Sequence, residues 1–430
     1  MLKSNRTFLW AGAFIFAMFV VMSSGYSQSA VNSPYSRFGL GDLATQKSTY
    51  YFSMGGVANA VSSPFHVNPY NPAANAAIDT MSFIFSGGIV GKFGNISTDD
   101  NSTSTKSASL GYLNFGFPIN RLIKTSLGLI PYSNVGYQIV SEEIVENVGN
   151  TRYYFEGTGG ANEAYLGLSV QPHKNLSFGI KSAYLFGKSE RSRSVFFPDS
   201  IGYINTRVDN QIDLSDFHFD FGLQYKKILK NGVTFGLGGV YAPSQKISST
   251  LNNLTRSYFA TSVGVESYRD TIDSNFGVPG SVTFPEKYGF GMMLKNKQKW
   301  MLAADFNWQN WSEFEAFGVV DSLSNSWQFA IGGEYLPSEK SVDSYWKKVK
   351  YRFGFNYNQT YLNLRNTQIN EFGITFGMAL PIPRSFSTVN LGFEIGRGGT
   401  KSSNLIQDNF VKINLDISVW ERWFIKRKYY

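Results

Sequence analysis

The sequence contains no cysteine, and this absence excludes several kinds of site at once. A chain without cysteine forms no disulfide bond, binds no metal through a thiolate and offers no thiol nucleophile. Histidine is almost as scarce, with His66, His173 and His218 as the only three. His218 and Asp220 lie two residues apart. This spacing is explained more simply by two polar residues that line the inside of a β-barrel than by a Ser-His hydrolase site. The sequence therefore predicts a protein that is not an enzyme and that has no metal site and no cofactor.

The sequence also lacks a hydrophobic run long enough for a membrane helix. Beyond the N-terminal region, no window approaches the roughly 18 to 20 consecutive apolar residues that a helical span requires. The uncharged run at residues 8–22 follows Lys3 and Arg6 and precedes small and polar residues. This order is typical of a secretory signal peptide, predicted here as residues 1–27 with cleavage near Gln28; the alternative is an uncleaved N-terminal anchor.

Aromatic residues and glycine, in contrast, are abundant. The chain has 37 Phe, 25 Tyr, 8 Trp and 42 Gly, yet its mean hydropathy is only −0.18. Such a chain is either a soluble β-protein or an outer-membrane β-barrel, in which one face of each strand contacts lipid and the other stays polar. The formal net charge of +8 comes from basic residues that are spread among turns, and this spread argues against binding of nucleic acid.

An alternation with period two decides between these classes. In FHFDFGLQY (217–225), large apolar residues alternate with polar or small ones, and Asn231-Gly232 then predicts a hairpin turn. Segments of this kind recur about fourteen times by the alternation template, and an even number suits a closed antiparallel barrel. The predicted strands begin near residues 81, 107, 125, 162, 176, 204, 233, 285, 300, 326, 350, 371, 388 and 409.

The connections and the strand ends support a membrane barrel. Short turns alternate with longer polar links such as NISTDDNSTSTK (95–106), as expected for periplasmic turns and outer loops. Residues 81–424 are therefore predicted to form a transmembrane β-barrel in contact with the lipid bilayer, followed by a basic periplasmic tail at 425–430. A soluble β-sandwich is the alternative, but it would not need so many aromatic residues at strand ends. The predicted interfacial aromatics are Trp308, Trp311, Trp327, Tyr335, Tyr351 and Tyr357.

Residues 28–80 have a different composition from the rest. They are rich in Gly, Pro, Asn and Ser and have only scattered apolar residues, so they cannot form a domain with its own core. We interpret them as a small plug, or hatch, inside the lumen, with a periplasmic linker as the alternative. Asn71 and Pro72 would interrupt regular structure, while Ala73 and Ala74 would allow a short helical turn to pack closely against the wall.

Polar and strand-breaking residues mark further candidate positions in the barrel. His218, Asp220, Asp305 and Asn307 lie on the predicted inward face and are expected to line the lumen. Pro131 falls inside the third strand, where a residue without a backbone N–H requires a bulge or a break.

Three stretches resemble the FadL family of outer-membrane transporters for long-chain fatty acids and hydrocarbons. They are residues 54–83, residues 278–314, and GGEYLP (332–337) together with YRFGFNYN (351–358). The resemblance implies a fourteen-stranded barrel with an N-terminal hatch. It also implies a side opening at a kink in the third strand, which here would be marked by Pro131, Ser133 and Asn134. Some relatives of the family serve as subunits of outer-membrane secretion machinery.

Two functional hypotheses follow for a protein exported to the outer membrane of a Gram-negative bacterium. The first is passive uptake of hydrophobic, fatty acid-like molecules through the plugged lumen, with lateral exit into the bilayer. The alternative is a non-transporting barrel subunit of a secretion or assembly complex, which presents its plug, loops or basic rim to outer-membrane or periplasmic protein partners. Uptake needs an apolar pocket, yet the inward positions are mostly polar, so the pocket would have to come from loops such as residues 256–268.

Overall fold

The structure is a computed structural model. It describes residues 33–44, 47–199, 203–260, 266–338, 340 and 344–423. The predicted signal peptide and the predicted basic tail lie outside the described residues. Within the described ranges, no helix is both long enough and apolar enough to cross a membrane.

The fold is a closed antiparallel β-barrel of fourteen strands. Its elements are β1 (Asp42–Leu43), α1 (Thr49–Phe52), β2 (Ser82–Ser97), β3 (Ser102–Pro118), β4 (Ile123–Val145), β5 (Gly149–His173), β6 (Leu176–Phe196), β7 (Asn205–Ile228), β8 (Val233–Ala242), β9 (Gln245–Ala260), β10 (Glu266–Phe284), β11 (Lys287–Asn296), β12 (Trp300–Gln309), β13 (Glu315–Ala316), β14 (Val319–Val320), β15 (Ser326–Tyr335), α2 (Tyr345–Lys348), β16 (Lys350–Leu364), β17 (Thr367–Pro381), β18 (Thr388–Gly399) and β19 (Gln407–Arg422). Short 3-10 helices occur at Pro34–Arg37, Pro72–Ala77, Trp311–Glu313 and Ser402–Asn404.

The wall follows the chain order and closes where β19 pairs with β2. β8 and β9 are two parts of one wall strand, separated at Pro243 and Ser244, and β10 and β11 are two parts of the next, separated at Pro285 and Glu286. The two-residue strands β1, β13 and β14 add to the sheet without forming wall strands. The predicted fold class and strand number are therefore confirmed.

The predicted hairpin at Asn231-Gly232 illustrates why these residues form these elements. β7 pairs with β8 across this turn, and Gly232 has φ 79°, in the left-handed region that favours glycine. The large apolar side chains of β7 are exposed on the outer face, whereas His218 and Asp220 are buried inside. We call the end of the barrel with this turn the turn end, and the opposite end the loop end. β2 starts and β19 stops at the turn end.

The predicted long links are shorter in the structure, because the strands extend into them. The link predicted over 95–106 is largely strand, because β2 continues to Ser97 and β3 begins at Ser102. The predicted loop at 256–268 includes the end of β9 and the start of β10. In residues 95–106 both faces of the strands are mostly polar or small, so the period-two signal disappears although the β2–β3 ladder continues to Ser97 and Ser102.

The barrel is taller on one side than on the other. β5 has 25 residues and β7 has 24, whereas β12 and β15 have 10 each. A tilted strand needs only about 9 to 11 residues to cross a bilayer. The long strands β4 to β7 with β9 and β10 therefore continue past the loop end as a projecting sheet, and β10 is exposed on both faces there.

Candidate functional site

The N-terminal residues lie inside the barrel in two parts, which we name by the end of the lumen that they occupy. The turn-end segment comprises residues 47–78 and the loop-end segment comprises residues 33–44. The turn-end segment is almost completely buried, with Tyr51, Met54 and Asn71 all at 0% exposure. Its few apolar residues contact wall residues such as Met301, so the barrel completes the core that the segment lacks.

Side chains of the wall satisfy the backbone of the turn-end segment. Asp305 accepts hydrogen bonds from the N–H groups of Ala58 at 2.6 Å and Asn59 at 2.8 Å. Asn307 accepts one from the Asn59 side chain at 2.9 Å. The Gln224 side chain donates to the Ala60 carbonyl at 2.8 Å. A buried segment with little secondary structure needs such partners, since unpaired backbone groups are costly to bury.

Inward-facing glycines bring the segment into direct contact with the strands. A Cβ atom added to Gly238 would lie 1.9 Å from the Asn59 carbonyl oxygen, and one added to Gly332 would lie 2.1 Å from the Met54 carbonyl oxygen. Distances below 3.0 Å leave no room for a side chain. We call the set of wall glycines in such contact with the segment the glycine seat: Gly116, Gly179, Gly222, Gly238, Gly291, Gly332, Gly354, Gly377 and Gly392.

The predicted plug motif lies on the seat. Asn71 caps the 3-10 helix Pro72–Ala77 by accepting from the Ala73 N–H at 3.0 Å, and it donates to the Asn59 carbonyl. Ser177 of β6 donates to the Ala73 carbonyl at 3.1 Å, and Ala74 is buried. The structure thus brings Asn71 and Ala73 against the wall, whereas their role in a plug stays a prediction.

The other predicted lumen residues belong to a buried ion network in the wall. The Lys181 ammonium lies 3.0 Å from the Glu163 carboxylate and 2.6 Å from that of Asp220. His218 Nε2 lies 2.9 Å from Glu163. Buried charges persist only when they are paired in this way. Sequence reasoning missed Glu163 and Lys181, although charged residues at inward positions of β5 and β6 were a usable signal.

The loop-end segment meets apolar side chains instead of glycines. Tyr35, Phe38, Leu40 and Leu43 pack against a buried cluster whose members are Ala161, Leu185, Leu214, Ile247, Val282, Phe284, Trp311, Phe314, Leu323, Tyr361, Leu362, Ile369 and Leu405. The prediction of a mostly polar lumen is therefore wrong for this half. Trp311, predicted as an interfacial aromatic, is fully buried here and stacks on Tyr361 at 4.5 Å between ring centroids.

A cavity of about 150 Å³ remains in the loop-end half. Its lining includes Leu40 of the segment, Ser133 of β4, Leu214 of β7 and Val319 of β14. Arg191 also lines it and donates to the Gly39 carbonyl of the segment. The packing of the N-terminal residues is thus less complete here than on the glycine seat.

The third wall strand, β4, is irregular at the predicted position. Its pairing with β5 shifts between Pro131 and Ser133, so Tyr132 is the extra residue of a β-bulge. The ladder between β3 and β4 covers residues 113–118 and 124–129. Beyond it, β4 pairs instead with β1, with Leu43 opposite Ser133 and Asp42 opposite Asn134. The side opening that the FadL resemblance implies at these residues stays a prediction.

Known proteins resemble this chain in sequence or in fold. A family model described as BamG matches residues 11–430. No curated protein matches the sequence. Among solved structures, the toluene transporter TodX of Pseudomonas putida has a TM-score of 0.58 at 15% identity, over 90% of this chain and 100% of its own. The toluene transporter TbuX of Ralstonia pickettii has a TM-score of 0.57 at 13% identity, over 88% and 99%.

A FadL homologue of Pseudomonas aeruginosa is similar to a comparable degree, with a TM-score of 0.53 at 11% identity over 88% of this chain and 98% of its own. At such low identity these similarities concern the fold. The predicted resemblance to the FadL family is thus confirmed for the fold, whereas the family model that spans the sequence carries a different name.

Proposed function

Given that the chain belongs to the BamG family, we propose that it is a non-transporting barrel subunit of an outer-membrane secretion or assembly complex in a Gram-negative bacterium. The observation that carries this proposal is the glycine seat. Uptake along the full length of the lumen, as opposed to lateral exit at β4, would require the turn-end segment to move. Movement would separate closely packed backbones and leave the carboxylate of Asp305 and the N–H groups of Ala58 and Asn59 without partners in a buried site. We therefore propose that residues 28–80 act as a fixed plug and residues 81–424 as its support.

Surfaces outside the lumen are available for protein partners. The projecting sheet carries exposed apolar side chains, among them Ile272 at 61% and Phe276 at 66%. At the turn end, which we assign to the periplasm, Trp346 is exposed beside Lys347 in α2. Exposed aromatic and other large apolar side chains of this kind are typical of protein-binding surfaces. The barrel would thus present partner sites on both sides of the membrane.

A second candidate function is passive uptake of a small hydrophobic molecule. It is favoured by the cavity of about 150 Å³ next to Ser133, where the ladder between β3 and β4 has ended. Its lining is mostly apolar but also includes Arg191 and Asp321, and a cavity of that size holds about one benzene-sized ring. In this alternative, β1 would move and the ligand would leave laterally at Pro131, Ser133 and Asn134. The solved relatives TodX and TbuX are described as toluene transporters.

One experiment separates the two functions. Native mass spectrometry of the protein, purified from its own outer membrane in mild detergent, reports protein partners and small ligands together. A subunit is expected to carry other proteins at fixed stoichiometry. A lone barrel with a bound hydrophobic molecule would overturn the subunit proposal and support uptake.

The absence of native cysteine provides a control on the uptake alternative. Leu43 and Ser133 lie opposite each other across β1 and β4. A double variant, Leu43→Cys with Ser133→Cys, would form a disulfide bond on oxidation and lock the loop-end segment to the wall. If the protein is an uptake channel, locking abolishes entry of labelled toluene into cells, and reduction restores it. If the protein is a subunit, locking leaves the set of co-purifying proteins unchanged.

A further inference from the structure

Besides β4 past Gly136, the wall of the barrel has two long open strand edges within the described residues. One is β3 over residues 102–111, past the point where its ladder with β4 ends. The other is β10 over residues 266–281, whose one pairing on that side is Val282 with Ala316 of β13. An open edge presents a row of backbone N–H and C=O groups to any strand that approaches. The two edges differ in how they are protected against this.

The β10 edge carries several devices that hinder pairing. Its register with β9 shifts between Tyr268 and Asp270, between Thr271 and Asp273, and again before Val278. Each shift twists the strand and interrupts a straight row of hydrogen-bonding groups. Pro279 lies in the same strand and has no backbone N–H to offer.

The β3 edge is regular by comparison. From Ser102 to Leu110 it pairs with β2 residue by residue, and its one shift lies at Gly111 at the base of this stretch. The stretch contains no proline, and its residues are exposed or half-buried. Lys106 is its one charged residue, and it lies opposite Phe93 of β2. The side of β4 that faces this gap is in part already occupied, because Ser33 and Ala44 donate backbone hydrogen bonds to it.

We propose that residues 102–110 of β3 bind an extended strand of a partner protein, with an acidic side chain opposite Lys106. Backbone hydrogen bonds along an open edge supply affinity in such strand addition, and alternate side chains supply specificity. A second copy of the chain fits less well, because antiparallel self-pairing centred on this stretch would place Lys106 opposite itself, and like charges in that position repel. The inference rests on the proposed subunit function and names the surface through which one partner binds.

The test uses the full-length protein in lipid nanodiscs and two synthetic nine-residue peptides. The peptides share a sequence of alternating Thr and Val and differ only in a central Glu or Lys. Hydrogen exchange of the amides at 102–110 reports strand addition, and the amides of β10 at 266–281 serve as an internal control. We expect the Glu peptide to protect alternate amides of β3 and to leave those of β10 unchanged.

A charge reversal makes the test specific. In K106E the preference should switch to the Lys peptide, with about a fivefold change in affinity for each peptide, as expected for one cross-strand ion pair. K174E, in a turn at the opposite end of the barrel, is the matched control and should keep the preference for Glu. Equal protection by both peptides, protection on β10 alone, or protection of the β3 amides that point away from β2 before any peptide is added would overturn the inference.

The proposed subunit function is tested separately from the strand-binding inference. If K106E binds the co-purifying proteins as tightly as the unaltered protein does, instead of about fivefold more weakly, the complex forms without this edge and the strand-binding inference fails. If the unaltered protein co-purifies with no protein at all, the proposed subunit function fails, whatever the peptides do.

Discussion

The two halves of the lumen hold the N-terminal residues by different means. In the turn-end half, strand glycines such as Gly238 and Gly332 let the backbone of the segment approach the wall directly. In the loop-end half, large side chains such as Trp311 and Tyr361 pack against residues 33–44 and leave a cavity. Contacts between backbones cannot adapt by changing rotamers, whereas contacts between side chains can. One half therefore packs the segment rigidly against the wall, as the proposed fixed plug requires, whereas the other half retains room for rearrangement.

The largest effect is expected on the glycine seat. Gly238→Ala places a methyl group against the carbonyl of Asn59, whereas a Cβ at the neighbouring Gly239 meets nothing within 4 Å. Overpacking of this kind costs about 1–3 kcal/mol. We expect Gly238→Ala to lower the free energy of unfolding in urea by that amount and to increase hydrogen exchange at residues 54–60. Gly239→Ala is the control; equal losses in the two variants would contradict the seat.

Removal of one wall carboxylate should have a similar or slightly smaller effect. Asp305→Ala leaves the N–H groups of Ala58 and Asn59 without their acceptor, at about 1–3 kcal/mol for a buried unpaired donor. Asp305→Asn keeps one acceptor oxygen and should restore part of the loss. Chemical denaturation of both variants measures the difference. An Asp305→Ala variant as stable as the original would show that these hydrogen bonds do not hold the segment.

The two halves should respond to pH in opposite directions. In the turn-end segment, burial holds the pKa of the His66 imidazole well below its usual range, and Arg352 and Lys350 lower it further. In the loop-end segment, burial is the main cause that raises the pKa of the Asp42 carboxyl to about 7, with Lys92 opposing it. Each protonation difference changes the free energy of docking by about 1.4 kcal/mol per pH unit.

The signs follow from which state binds the proton. Undocked His66 takes up a proton below pH ~6.5 while docked His66 does not, so docking of the turn-end segment weakens as the pH falls below that value. Docked Asp42 keeps a proton that the undocked carboxyl has already lost, so docking of the loop-end segment strengthens as the pH falls from 7 towards 4. Hydrogen exchange measured at pH 5 and pH 8 and corrected for the intrinsic rates should show weaker protection of the turn-end segment and stronger protection of the loop-end segment at pH 5. His66→Gln and Asp42→Asn should each remove one of the two responses.

The smallest effect is expected next to the cavity. Leu40→Ala enlarges a space that already exists, and Leu40 is only partly buried. We therefore expect about 1 kcal/mol or less, below the 2–5 kcal/mol of a truncation in a fully packed core. Thermal denaturation compares it with Met54→Ala, the matched truncation on the seat, whose side chain is fully buried. A larger loss of stability in Leu40→Ala than in Met54→Ala would contradict the difference between the two halves.

The sequence predicted the wall better than the lumen, for a physical reason. Each strand crossing carries its own period-two signal, because lipid on one side demands large apolar residues such as Phe217 and Phe219. Inward positions have no such uniform neighbour. The alternation places Gly238 on the inward face but does not show that it contacts Asn59, because Asn59 is distant along the chain and no local pattern connects the two.

Among the irregular regions, the sequence predicted only those that a local residue marks. Pro131 predicted a bulge because proline removes a ladder hydrogen bond wherever it lies in a strand, and the register shift occurs at that residue. The apolar loop-end cluster was missed because Leu214, Val282 and Trp311 come from strand extensions and a loop, where the alternation had already faded. The pairing of β1 with β4 was not predicted either, because a strand of two residues leaves no periodic pattern.

The most direct test of a fixed closure is the hydrogen exchange of the amides at residues 54–60, measured on the protein in nanodiscs with and without saturating toluene. Permanent seating on the wall glycines predicts protection close to that of the barrel strands, unchanged by toluene. Loss of protection at these amides when toluene is added would show that the segment moves for a ligand, and it would contradict the non-transporting function.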